Sequence, residues 1–303
     1  MELLKQLCSI RATSGDEKSM SDFLLNYIEQ NKSSWKTQPT VHAGKNFHDC
    51  IVLSFGKPRT AVFAHIDSIG FTVRYENELI KIGGPRAENG YILVGNDSKG
   101  EIECVLKKNS DGELSYSFNR IIDRGTPLTF KPIFKETNDF VQSCYLDNRL
   151  GVYVALEIAK SLENGIIVFS CYEEHGGGTV GFLADFIAKQ YQVNQALICD
   201  ITWVTDGVKA GEGVAISMRD SYIPRRTYLN KIIDIAQRNK IPFQLEVESA
   251  GGSDGTELQH SPLAFDWCFV GAPEKNVHSP EEKVMIFDIN TMIDLYKILM
   301  QEL

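Results

Sequence analysis

Across its 303 residues the sequence has no run of about 18 apolar residues, so it offers no transmembrane helix. It has no CxxC pair. The seven cysteines (8, 50, 104, 144, 171, 199 and 268) are odd in number, and several sit inside apolar runs such as Phe169-Ser-Cys171 and Leu197-Ile-Cys199. A disulfide framework is thereby disfavoured; free, buried thiols in a reducing compartment are expected. No basic stripe is present, and the net charge of -9 with a pI near 5.3 argues against nucleic acid as a partner. Met1-Glu-Leu-Leu-Lys-Gln lacks the charged, apolar and small-residue layout of a secretion signal, so a cytoplasmic protein away from membranes is expected. There are no repeats and no low-complexity tracts.

What is present is ordinary for a soluble globular protein with a sizeable core: 43% hydrophobic and 23% charged residues. The acidic excess serves solubility, and part of it can line a metal site. Ser14-Gly-Asp-Glu17 reads as a capping box, predicting a helix to about Gln30 with Met20, Phe23, Leu24 and Ile28 on its inner face. Two strand-like runs follow, Cys50 to Phe55 and Thr60 to His65, the second almost wholly apolar as in a strand covered on both faces. From about residue 73 to 143 strands are short and turn signals frequent, including Gly83-Gly-Pro85 and Asn109-Ser-Asp-Gly112. This stretch reads as a small all-β, barrel-like inserted domain. Residues 1–72 and 144–303 then form the main domain. There, helices near 149–162, 180–189, 226–238 and 288–301 alternate with strands at 165–170, 195–199, 214–217 and 243–247. That alternation predicts an α/β domain with a parallel or mixed central sheet flanked by helices.

In such sheets, ligand sites lie beyond the carboxyl ends of strands. His65, Glu173, Glu174 and Asp200 each fall just after an apolar run. His65 and Asp67, two apart on an extended segment, point the same way. Asp67 can fix the ring of a metal-binding His65, although a lone strand-end histidine is often only a satisfied polar residue. Asp147, in Leu146-Asp-Asn-Arg149, suits a helix N-cap as well as a ligand. The adjacent Glu173 and Glu174 repel when buried without cations, and otherwise make a solvated turn. On extended backbone they would project to opposite sides, one towards a metal and one towards substrate. The following His175-Gly-Gly-Gly178 is no phosphate loop, because no GxxxxGK[ST] frame is present. His278 precedes Ser-Pro-Glu281. His42, His48, His175 and His260 have no assigned role. No cysteine has a histidine partner in a local frame that suggests a nucleophile.

Together these frames resemble the glutamyl aminopeptidase family of co-catalytic metallopeptidases, which includes the tetrahedral aminopeptidases. The resemblance spans nearly the whole chain. It includes Ala64-His-Ile-Asp-Ser-Ile-Gly-Phe71, Leu146-Asp-Asn-Arg-Leu-Gly151, Glu173-Glu-His-Gly176, Gly213 to Asp220, Ile241 to Val247, Gly251-Gly-Ser-Asp-Gly255 and His278-Ser-Pro-Glu281. The position of the β-rich insert, between His65-x-Asp67 and Asp147, also matches. By that resemblance His65, Asp147 and Asp200 hold one divalent metal, and Asp147, Glu174 and His278 hold a second. Glu173 is then the general base and Asp67 the partner of His65. Two zinc ions are implied, with cobalt or manganese as substitutes. The implied function is a metal-dependent aminopeptidase acting on short peptides as a homo-oligomer. The alternatives are a deacylase or carboxypeptidase-type amidohydrolase and a non-catalytic assembly protein. Ser68 and His175-Gly-Gly-Gly178 depart from the family's usual frames, and the insert is short. Arg219, Arg225 and Arg226 are candidates for attracting acidic side chains, or are simply solvated.

Overall fold

A computed structural model describes residues 1–303. Helices α1 (Glu2–Ser9) and α2 (Lys18–Asn31) precede strands β1 (Thr40–Gly44), β2 (His48–Phe55) and β3 (Ala61–His65). Six strands follow: β4 (Gly70–Val73), β5 (Glu78–Ile82), β6 (Ile92–Asp97), β7 (Gly100–Lys108), β8 (Leu114–Ser117) and β9 (Pro127–Phe130). The chain continues through β10 (Lys135–Glu136), β11 (Phe140–Ser143), α3 (Leu146–Ala159), β12 (Gly165–Ser170), α4 (Val180–Tyr191) and β13 (Gln195–Trp203). It ends with β14 (Val214–Arg219), α5 (Arg226–Arg238), β15 (Phe243–Val247), α6 (Asp254–His260), β16 (Asp266–Lys275), β17 (Glu282–Met285) and α7 (Ile286–Glu302).

The large sheet is mixed and runs β1-β2-β12-β3-β13-β16-β17-β11-β10, with β14 paired to β16 and β15 paired to β14. Its centre, β12-β3-β13-β16, is parallel. Strands β3 and β12 are buried throughout, which is why their sequences are nearly unbroken apolar runs rather than alternating ones. Helices cover the sheet with apolar stripes at helical spacing. In α5 the stripe is Tyr228, Leu229, Ile232, Ile235 and Ala236, all buried. The α/β class expected from the sequence is therefore the observed one.

Strands β4 to β9 close into a barrel in the order β4-β5-β8-β7-β6-β9. Its interior is a separate small core containing Phe71, Leu93, Leu106, Leu128 and Phe130. Each such buried large side chain contributes roughly 1.5–3 kcal/mol by leaving water. Tyr145, from the segment just before α3, belongs to this core: its ring stacks on Phe130 at 6.4 Å, and its hydroxyl donates to the Phe130 carbonyl at 3.4 Å. Asp147 thus begins two residues from a side chain anchored inside the barrel.

Several sequence expectations are corrected. Helix α2 begins at Lys18, and Ser14 does not cap it; the Ser14 hydroxyl donates instead to Asp67 Oδ2 at 2.6 Å. Glu17 Oε1 accepts the N–H groups of Gly15 and Tyr172. Residues 135–143, read as part of the β-rich stretch, pair into the large sheet through β17. Asp200 lies inside β13, because that strand continues to Trp203.

A candidate two-metal active site

The site forms where β3, α3, β13 and the segments after β12 and β16 converge. His65 closes β3 and is 1% exposed. Its Nε2 lies 3.3 Å from Asp147 Oδ1, 3.5 Å from Asp200 Oδ2 and 3.8 Å from Glu173 Oε2. On the other side, His278 Nε2 lies 3.3 Å from Asp147 Oδ2 and 3.2 Å from Glu174 Oε2. Two groups of ligand atoms result, His65 with Asp147 and Asp200, and Asp147 with Glu174 and His278, each within 4.8 Å. Asp147 belongs to both.

Local structure explains how these side chains are aimed. Asp147 is not a helix N-cap: the cap position is Tyr145, no side chain caps the helix, and Asp147 has non-helical backbone angles. Its carboxylate is left free to face both imidazoles. Behind it, Gly151 lets α3 approach β13 closely, since a Cβ there would sit 2.0 Å from the Cys199 carbonyl. Asn148 bridges the same gap, donating to that carbonyl at 3.0 Å and accepting the Gly151 N–H at 2.8 Å.

Glu173 and Glu174 occupy a 3-10 turn, Glu173–His175, rather than the extended backbone expected from the sequence. Asp67, fully buried, holds this turn by accepting the N–H groups of Glu173 and Glu174, both at 3.1 Å. Asp67 Oδ1 stands 3.4 Å from His65 Nδ1, while Nδ1 itself lacks a hydrogen bond. Asp67 therefore organises the glutamate turn at least as much as it orients His65.

Two glycines that the sequence shows only as a turn also reach the site. The Gly84 carbonyl lies 3.2 Å from His278 Nδ1, and the Gly83 N–H donates to His175 Nδ1 at 3.0 Å. The Arg86 N–H donates to the His278 carbonyl at 2.8 Å. Glu282, buried, accepts from the N–H of His278 at 3.0 Å and from that of Asp147 at 3.3 Å. No local signal marks these contacts, because the partners are 194 residues apart for Gly84 and 135 for Glu282 with Asp147. His42 pairs with Tyr191 and packs on Phe186, and His260 packs on Tyr222. Arg225 pairs with Asp266, so it is not part of this cluster.

The electrostatics test whether the donor set suits a cation. Burial, followed by the neighbouring Asp147 carboxylate, raises Glu174 to about 7. Burial likewise raises Asp200 to about 6 and Glu173 well above the carboxylate range. Burial opposes charge on His278, yet Asp147 and Glu174 raise its pKa to about 11. Against the same opposition, Asp200, Asp147 and Asp67 raise His65 well above its usual value. Asp147 is held low by the two histidines despite burial. Glu174 Oε1 is buried without any hydrogen-bond partner, and no lysine or arginine lines the cleft. Three carboxylates and two imidazole nitrogens thus converge, while the guanidinium of Arg149, buried behind them, donates to the Ile66 and Asp67 carbonyls rather than to a carboxylate. Oxygen and nitrogen donors in this number fit divalent metal, zinc among them.

Comparison with known proteins gives the family and the fold. Residues 116–295 match the family model described as M42 glutamyl aminopeptidase. A curated protein of Acetivibrio thermocellus, named "Putative aminopeptidase", is 26% identical over 97% of this chain and 96% of its own length. The aminopeptidase APDkam598 from the archaeon Desulfurococcus kamchatkensis superposes with a TM-score of 0.87 at 22% identity, over 100% of this chain and 94% of that one. The TET1 peptidase of Pyrococcus horikoshii, which assembles into a tetrahedron or a large octahedral shell, gives a TM-score of 0.82 at 23% identity, over 100% and 99%. By its matched residues, the chain belongs to the M42 glutamyl aminopeptidase family.

Proposed function

We propose that this metal-dependent aminopeptidase removes N-terminal residues from short peptides at the His65–Asp147–His278 cluster. One observation carries the assignment of residues: the two oxygens of Asp147 each stand 3.3 Å from an imidazole Nε2, one of His65 and one of His278. A carboxylate shared in that way joins two ligand groups into one centre. His65, Asp147 and Asp200 would hold one ion, and Asp147, Glu174 and His278 the other. Zinc is the proposed metal; two such ions bound there would acidify a water and polarise the scissile carbonyl.

The chain's own residues supply the proton handling. Glu173 faces the cluster without belonging to either ligand group. Burial raises its pKa, which favours proton acceptance in the reaction. It takes a proton from the attacking water and delivers it to the leaving amine. Asp67 keeps Glu173 in place through the backbone of the 3-10 turn. The cleft, of about 260 Å³, is open enough to admit a chain end.

The barrel is proposed as the inserted unit for assembly and access. Four exposed large apolar residues, Tyr75, Ile80, Ile121 and Ile133, lie on or beside it, which supports contact with further copies of the chain. No helix is long and apolar enough to cross a membrane. Seven free, buried cysteines support a reducing, cytoplasmic setting.

The test is a chelated sample restored with zinc, cobalt or manganese and assayed on free-amine and N-blocked peptides. Metal-dependent release of N-terminal residues from the free-amine set is expected. Cleavage of only the N-blocked set would make the protein a deacylase or carboxypeptidase-type enzyme instead.

A further inference from the structure

The cleft holds more carboxylates than the metals and the base use. Beyond Asp147, Glu173, Glu174 and Asp200, it is lined by Asp220, Glu246 and Glu248. These come from the end of β14 and from β15 with the segment after it. Glu246 is 5% exposed and Asp220 is 9% exposed. The Thr202 hydroxyl donates to Oε1 of Glu246, and the Ser217 hydroxyl stands beside the same carboxylate. Asp220 Oδ1 accepts the Tyr222 N–H at 2.7 Å. Arg219, the last residue of β14, directs its Nε to the main-chain carbonyls of Asp220 and Glu248, not to their carboxylates.

This wall is acidic, with no lysine or arginine among its lining residues. Two divalent ions would balance the ligand carboxylates, and Arg219 only partly offsets Asp220, whose pKa burial still raises. Burial raises the pKa of Asp220 and Glu246, and for Glu246 the neighbouring Asp220 and Glu248 raise it further. Apolar side chains stand beside the carboxylates: Ile201 and Phe269 are each 6% exposed, and Trp203 is half-exposed. Lysine and arginine combine a long apolar stem with a cationic head. Thr202, which carries Glu246, is two residues beyond the candidate ligand Asp200 on β13, so the acidic wall adjoins the reaction centre.

We propose that Asp220, Glu246 and Glu248, with Ile201 and Phe269, form the pocket for the side chain of the N-terminal residue and select lysine and arginine. The aliphatic stem packs on Ile201 and Phe269, and the cationic head meets the three carboxylates. Glutamyl and aspartyl substrates are repelled by the same wall. This specificity rests on the aminopeptidase reading above.

The test uses the full-length, zinc-restored protein with lysyl, arginyl, leucyl and glutamyl aminoacyl-amide substrates. Expected is a kcat/KM for lysyl and arginyl at least about tenfold above leucyl, with glutamyl slowest. In E248Q, and in the double variant E246Q/E248Q, the lysyl-to-leucyl ratio should fall at least about tenfold, mainly through KM. Leucyl or glutamyl turnover equal to lysyl in the wild type would overturn the pocket while leaving the aminopeptidase intact. So would a third tightly bound metal ion that E246Q/E248Q removes. Binding of lysinamide against norleucinamide, its uncharged counterpart, decides the pocket independently of turnover. Tighter lysinamide binding, lost in E246Q/E248Q, supports it; equal binding overturns it. Inactivity on every substrate with metals bound would count against the aminopeptidase reading, and the binding comparison would still decide the pocket.

Discussion

The carbonyl of Gly84 lies 3.2 Å from Nδ1 of His278, so a loop after β5 of the barrel sets the orientation of a candidate ligand on the main sheet. With Nδ1–H donating to that carbonyl, Nε2 faces Asp147 and Glu174 and is the nitrogen that would bind a metal once its proton leaves. The barrel therefore takes part in building the site.

Gly84→Ala tests that relationship. A Cβ at Gly84 would lie 3.2 Å from His278 Nδ1, tight enough to push the ring. Zinc affinity at the Asp147–Glu174–His278 group should fall about tenfold or more, in the range that outer partners of ligands command. Affinity at the His65–Asp147–Asp200 group should fall less. Competition titration with a zinc chelator distinguishes the two steps.

Glu173→Gln should retain full metal content and lose roughly 10²–10⁴-fold in kcat. Near-normal turnover in this variant would remove Glu173 from the role of base.

Gly151→Ala should destabilise the fold by about 3 kcal/mol, because backbone would have to move rather than a flexible side chain. Denaturant unfolding of the metal-free protein measures this. The displaced α3 should also weaken metal binding through Asp147.

Zinc uptake should release protons. The metal-free pKa of His278 is raised from 6.5 to about 11, and that of Glu174 from 4.5 to about 7. In metal-free protein the stabilising protonation of His278 is fully present below 6.5 and is lost as pH rises through about 11. At about pH 7.5 the ring still carries its proton, which zinc must displace. Apparent zinc affinity should therefore rise with pH. Calorimetry in buffers of different ionisation enthalpy reads the released protons; an absence of release would contradict the imidazole assignment.

Much of this was legible in sequence because it depends on local burial. The apolar runs that became β3 and β12 identify sheet strands, and the stripe of α5 identifies a surface helix. The candidate site was legible as frames for His65, which closes β3, Asp147, at the start of α3, and Glu173 and Glu174, which follow β12; Asp200, inside β13, and His278, between β16 and β17, join them only in the fold. The misreadings have nonlocal causes. Ser14 has the composition of a cap, but its hydroxyl is engaged by Asp67, 53 residues away. The strand carrying Asp200 looked finished at Cys199, since the polar Thr202 is buried by its bond to Glu246 across the cleft. Gly83-Gly84 looked like a turn, and it is one; what the sequence does not display is that His175 and His278 stand against it. The acidic wall was invisible for the same reason, because Asp220 and Glu246 meet only after β14 and β15 pair.

The central claim is a centre of two ions that share Asp147. It is tested most directly by elemental analysis of zinc-restored wild type and Asp147→Ala, with folding confirmed by circular dichroism. The account predicts two zinc ions per wild-type chain and fewer than one in the variant, since both groups lose a ligand. A single ion in the wild type, or a variant that keeps both, would contradict it.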